Sequence, residues 1–156
     1  MAETISDNPG HVIVRGGTAG FRQQIQAGAH QLSVDEPIEF GGRDTGPSPY
    51  DLLLAALGSC TSMTIGLYAR RKNWPLQEVV ISLRHSKIHA ADCAECETRE
   101  GKIDRIEREI QLIGSLTSEQ RSKLMEIADK CPVHRSLTSE INIKTKEKVA
   151  SPAQQP

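Results

Sequence analysis

The chain has 156 residues, 37% of them hydrophobic and 25% charged, with a formal net charge of −1 at pH 7. That is the make-up of one ordinary globular domain, and the near-zero charge gives no electrostatic reason to expect nucleic acid or an acidic membrane surface as a partner. With one Trp, two Tyr and two Phe, a core has to be built from Leu, Ile, Val and Ala.

In chain order, residues 1–10 read as a loose tail, 11–145 as the folded domain, and 146–156 as a polar tail. Short β-prone stretches at 11–15, 21–27 and 30–34 are punctuated by Gly16, Gly17, Gly20 and Gly28, which predicts a small antiparallel meander. Residues 37–49 form a loop rich in Gly and Pro. Ser48-Pro49-Tyr50-Asp51 then carries an N-cap, a Pro at the first helical position and a capping-box acid. The following LLLAALGSCTSMTIGLYARRK is apolar nearly all round at its start, which predicts a buried helix. Arg70, Arg71 and Lys72 suit its C-terminus, and Asn73-Trp74-Pro75 stops it. A helix of that kind in a small chain needs a sheet or a second subunit to cover it.

Residues 79–89 and 102–113 read as the two strands of a long hairpin, with Val79, Ile81 and Leu83 alternating in the first. Thr117-Ser118-Glu119-Gln120 caps another helix whose inner face carries Leu124, Ile127 and Ala128. Pro132 cannot donate to the preceding turn, so a kink or a fresh helical start is expected there. A last strand is expected at 140–145.

No apolar run is expected to reach the ~20 residues that span a bilayer, and the start MAETISDNPG has no basic-then-apolar signal-peptide pattern. The expectation is a cytoplasmic protein without a membrane partner. There the four cysteines are reactive thiols, metal ligands or buried apolar residues rather than permanent staples.

Two stretches carry a resemblance. GPSPYDLLLAALGSCTSMTI is a Gly/Pro loop followed by an apolar helix with Cys60 inside it. ADKCPVHRSLTSEINI places Cys131 directly before Pro132 on a later element. Together, in this order, they resemble the OsmC/Ohr family of thiol-dependent hydroperoxide reductases over roughly residues 11–145. The resemblance implies an α+β fold with antiparallel sheets packed around two helices in an intertwined homodimer. It implies that Cys60 attacks a hydroperoxide and becomes a sulfenic acid, that Cys131 resolves it to a disulfide, and that a dithiol reductant resets the pair. It also implies an Arg at the thiol, for which Arg43 is the candidate and Arg15 and Arg22 are rivals. The family's Glu ten positions before the helix Cys is here Tyr50, with Asp51 beside it, which points to a divergent branch.

The residues themselves are compatible with these roles. A peroxide is attacked by a thiolate, and a second thiol nearby prevents over-oxidation. Apolar surroundings raise a thiol's pKa, so Cys60 needs a cation beside it. Cys60 as a small core residue is the bland alternative.

HSKIHAADCAEC is a second constellation. Cys93 and Cys96 have the spacing of a zinc knuckle or of a redox dithiol. Asp92, Glu95 and Glu97 around them disfavour thiolates unless a cation lies between, which points to a structural zinc held by His89, Cys93 and Cys96. His85 and His89 would lie ~13 Å apart in an extended strand, so His85 can join only if the strand bends. A second redox pair and a polar tip with free thiols are the alternatives. At the level of function, the peroxidase stands against a non-catalytic metal-binding module using the hairpin cluster, and against a Cys–His hydrolase built on Cys60.

Overall fold

The computed structural model describes residues 10–149. Three short strands, β1 (Val12–Gly16), β2 (Gln23–Ala27) and β3 (His30–Val34), form an antiparallel meander in the order β1-β2-β3. A loop leads to the long helix α1 (Pro49–Arg71). Strands β4 (Leu76–His89) and β5 (Lys102–Gly114) form a two-stranded antiparallel hairpin. Helices α2 (Ser118–Ala128) and α3 (Pro132–Leu137) complete the order. This is the expected α+β architecture of antiparallel sheets with few helices.

The helix starts follow from local chemistry. The Ser48 hydroxyl accepts from the Asp51 N–H at 3.2 Å while the Asp51 carboxylate accepts from the Ser48 N–H at 2.8 Å. Thr117 and Gln120 make the same reciprocal pair at α2. Each box satisfies donors that the first helical turn otherwise leaves open. At Pro132 the chain restarts as α3, with Cys131 as its N-cap residue.

The hairpin has a clean inward face. Val79, Ile81, Leu83 and His85 of β4 stand opposite Leu112, Ile110, Arg108 and Ile106 of β5. Helix α1 lies on this face, with α2 and α3 beside it. Ile65, Ala69, Leu112, Leu124 and Ala128 form the core, with Tyr68, Trp74, Val79 and Ile110 packed against it. Gly58 sets the closeness of α1 to β4: a Cβ there would come 2.7 Å from Leu83 Cδ1.

Three expectations are corrected. Helix α1 is buried on one side only, through Leu57, Gly58, Thr61, Ile65 and Ala69, while Met63 on the other side is 72% exposed. It is 23 residues long and contains an 18-residue window with a mean hydropathy of 1.6, enough by length and composition to cross a membrane, although the sequence was expected to hold no such run. The side that packs here does so against the hairpin and the two later helices. Finally, the strand expected at 140–145 does not form. The described residues 140–149 adopt no helix or strand, and Ile141 and Ile143 stand in solvent. A strand needs a partner for its backbone groups, and β4 and β5 pair with each other rather than with this segment. The expected tail at 1–10 lies almost wholly outside the described residues, as does the end of the tail at 146–156.

At the hairpin tip a short 3₁₀ turn (Ala90–Asp92) leads into a disulfide between Cys93 and Cys96. Two outcomes follow. Ser48→Ala should lower stability by about 1 kcal/mol, read as a lower urea midpoint with an unchanged slope. Protein denatured without reductant should react with a thiol reagent at Cys60 and Cys131 only, and at all four cysteines after reduction; four reactive thiols before reduction would rule out the tip disulfide.

Candidate functional site

Cys60 sits in the fourth turn of α1 and is partly buried; Cys131, at the start of α3, is 0% exposed. Both are free thiols, and the packing of α3 on α1 brings them face to face so that each governs the other's titration. The two effects have opposite signs. Burial pushes the Cys60 thiol up, and the hydrogen-bonding interaction with Cys131 adds to that, against weaker help from the Val133 N–H and Thr64. Burial also pushes Cys131 up, but it is outweighed by Cys60, the His134 N–H, the Thr61 hydroxyl and the Val133 N–H, and the net shift is downward. The pair therefore titrates as a unit, with Cys60 shifted up and Cys131 shifted down.

Thr61 links this pair to a cation. Its hydroxyl donates to the Leu57 carbonyl at 2.7 Å and accepts from Arg108 Nη1 at 2.9 Å. Arg108 Nη2 donates to Asp129 at 2.8 Å. The Arg108 side chain is only 13% exposed, because β5 carries it on the inward face beneath α1. Arg108 and Thr61 were not among the sequence candidates. The available signal was phase: Arg108 falls in step with Ile106, Ile110 and Leu112, so alternation points a charge into the core.

Within one chain the arginines expected at the thiol lie away from it. Arg43 is exposed in the loop after β3, and that loop is folded around the buried carboxylate of Asp35. Asp35 accepts from the N–H groups of Glu36, Arg43 and Thr45 and from the Thr45 hydroxyl at 2.7 Å. The Thr45 bond first, then the three amides, hold its pKa below the ordinary value despite burial. Gly42 is required here, since a Cβ would meet the Glu36 carbonyl oxygen at 1.8 Å. Arg43 and Arg22 line one cleft of about 400 Å³ with Phe21 and Asp35, and Arg15 lies on β1 opposite Gln24. None of the three is among the groups that act on either thiol.

The position of the family Glu is also redefined. The Tyr50 ring stacks on His85 with centroids 4.3 Å apart. His85 Nε2 and Lys87 Nζ each lie 2.8 Å from Asp104 Oδ1, and the bond from Lys87, then that from His85, lowers the Asp104 pKa. Asp51 is engaged in the capping box. His134 turns its ring toward Asp129, at 3.9 Å.

The expected metal set of His89, Cys93 and Cys96 is not assembled. The sulfurs of Cys93 and Cys96 are bonded to each other, which removes the thiolate charge that zinc ligation uses. Among the described residues no group of three or more His, Cys, Asp and Glu is arranged to hold a metal ion. The hairpin also runs straight through Ile88, keeping His85 and His89 apart along β4.

Comparison with solved structures gives the same fold. An OsmC-like protein from Mycoplasma pneumoniae superposes with a TM-score of 0.64 at 16% identity, covering 84% of this chain and 88% of that one. An organic hydroperoxide resistance protein OsmC from Legionella pneumophila gives 0.59 at 21% identity, with 82% and 88% covered. An organic hydroperoxide resistance protein from Elizabethkingia anophelis gives 0.61 at 18%, with 81% and 86% covered. A search of curated proteins returned no match. The family model for OsmC-like proteins matches residues 42–146, a span holding α1, the hairpin and both thiols, and the chain belongs to the OsmC/Ohr family.

Proposed function

We propose that this protein is a thiol-dependent peroxidase that reduces hydroperoxides through Cys60 and Cys131. The observation that carries this reading is the pairing itself. Two free cysteines distant in sequence meet at the packing of α1 against α3, one partly open to solvent and the other wholly buried. A peroxide can reach the first, and the second is placed to capture what forms there.

The chemistry follows from the shared proton. The Cys60 sulfur attacks the terminal oxygen of the hydroperoxide, the O–O bond breaks, and the Cys60 proton passes to the Cys131 thiolate. The alkoxide that leaves takes a proton from solvent and becomes the alcohol. Cys60 is now a sulfenic acid. The Cys131 sulfur attacks it, the S–O bond breaks, and the hydroxyl departs as water with the proton Cys131 had carried. One hydroperoxide is reduced by two electrons, and an external dithiol returns the disulfide to thiols. A cleft of about 220 Å³ lies one helical turn from each thiol, lined by Leu57, Ile106 and Leu137 with Asp104, His134 and Thr138. Its apolar wall suits the organic part of an alkyl hydroperoxide.

The same reading includes a homodimer. The outer side of α1, with Met63 and Leu67, and the exposed Val12, Val14 and Leu32 of the meander form apolar surface that a second copy would cover.

With an organic hydroperoxide and a dithiol reductant, Cys60→Ser should abolish peroxide consumption. Cys131→Ser should allow one event per chain without recycling. Unimpaired turnover by the Cys60 variant would refute the proposal. Sedimentation at micromolar concentration should show a dimer, and a stable monomer would refute the proposed assembly.

A further inference from the structure

We propose that Arg108 is a positioning residue for the thiol pair, acting on Cys131 through the Thr61 hydroxyl. The proposal deepens the peroxidase reading and rests on its thiol chemistry. Three features of geometry carry it. Arg108 is an arginine on the inward face of β5, nearly excluded from solvent. Its guanidinium is divided between two acceptors, Asp129 at 2.8 Å and Thr61 at 2.9 Å. Thr61 is completely buried and lies against Cys131, which is buried to the same degree.

A hydroxyl has one proton and two lone pairs. At Thr61, Arg108 occupies one lone pair and the proton goes to the Leu57 carbonyl. Leu57 is an α1 residue whose carbonyl already lies in the helix ladder, so that proton can be turned toward a charged sulfur. An N–H bond into the oxygen polarises the O–H and makes it a stronger donor. The Thr61 hydroxyl is thus held where it serves the Cys131 thiolate, with a fixed positive charge behind it in a region of low dielectric. The titratable and charged groups around Cys131 are Cys60 on α1, Arg108 on β5, Asp129 at the end of α2, His134 on α3, and the exposed Lys130 and Arg135 beside it in the chain. Asp104 lines the cleft that His134 shares. Of the cations, Arg108 is the one largely excluded from solvent. Asp129 orients it from the solvent side.

The test is the pH profile of the thiolate ultraviolet absorbance of the folded protein with no peroxide present, a readout that needs no reagent to reach the buried Cys131. The variants are Arg108→Met, Thr61→Val and Thr61→Ser, each checked for fold by circular dichroism. In Arg108→Met and Thr61→Val the midpoint of the lower-titrating thiol should rise by about one pH unit, and Thr61→Ser should restore it. If Arg108→Met does not fold, the Val and Ser variants at position 61 decide. A folded Thr61→Val protein with the parental profile would overturn the proposal. Because the readout needs no peroxide, its failure is distinguishable from a failure of the peroxidase reading, which would appear as a shifted profile in a protein that consumes no hydroperoxide.

Discussion

The site depends on how low α1 sits over the hairpin. Gly58 lets the helix backbone come down onto Leu83, and one turn later Thr61 is within hydrogen-bond reach of Arg108. A bulkier residue at 58 would press on Leu83, and any lift of the helix would open the 2.9 Å bond. The same contact sets the height at which α3 must pack to bring Cys131 under Cys60. A steric fact about one glycine thus propagates to the spacing of two sulfurs. Packed interiors transmit such small displacements rather than absorbing them.

The energetics of the site are those of a polar chain that runs from solvent into the core with every member engaged. Asp129, Arg108, Thr61 and Leu57 form a continuous run of hydrogen bonds, and among the described residues no buried side-chain nitrogen or oxygen lacks a partner. A buried arginine without such partners would be strongly destabilising. Asp35 plays the corresponding part at the other end of the chain, gathering the loop after β3 around one carboxylate. That capture explains why Arg43, in the same loop, is tied to the meander by its backbone instead of reaching the thiols.

Much of the architecture was legible because it is encoded locally. The Ser48/Asp51 and Thr117/Gln120 boxes, the alternation in β4, and the restart at Pro132 are properties of neighbouring residues. The family resemblance, drawn from the two cysteine stretches, was legible for the same reason. What escaped is non-local or, at the hairpin tip, locally ambiguous. The Arg108 to Thr61 bond joins residues from β5 and α1 that only the hairpin's register brings together, and an arginine in an amphipathic strand has no local mark of burial beyond its phase. The Cys93-x-x-Cys96 spacing is shared by zinc sites and disulfides, and sequence charge alone pointed to the metal. The strand at 140–145 has the right alternation, but the chain supplies it with no neighbour.

The complete burial of Cys131 fixes the direction in which an oxidised pair can be reset. In the peroxidase reading, an incoming reductant thiolate has access to the Cys60 sulfur but not to its partner. The mixed disulfide must therefore form at Cys60, with Cys131 as the departing group. Thiol–disulfide exchange is faster when the departing sulfur is the more acidic one, and the surroundings of Cys131 favour its thiolate. The enclosure that keeps Cys131 from outside reagents thus also makes it the better leaving group, so that access and acidity select the same sulfur.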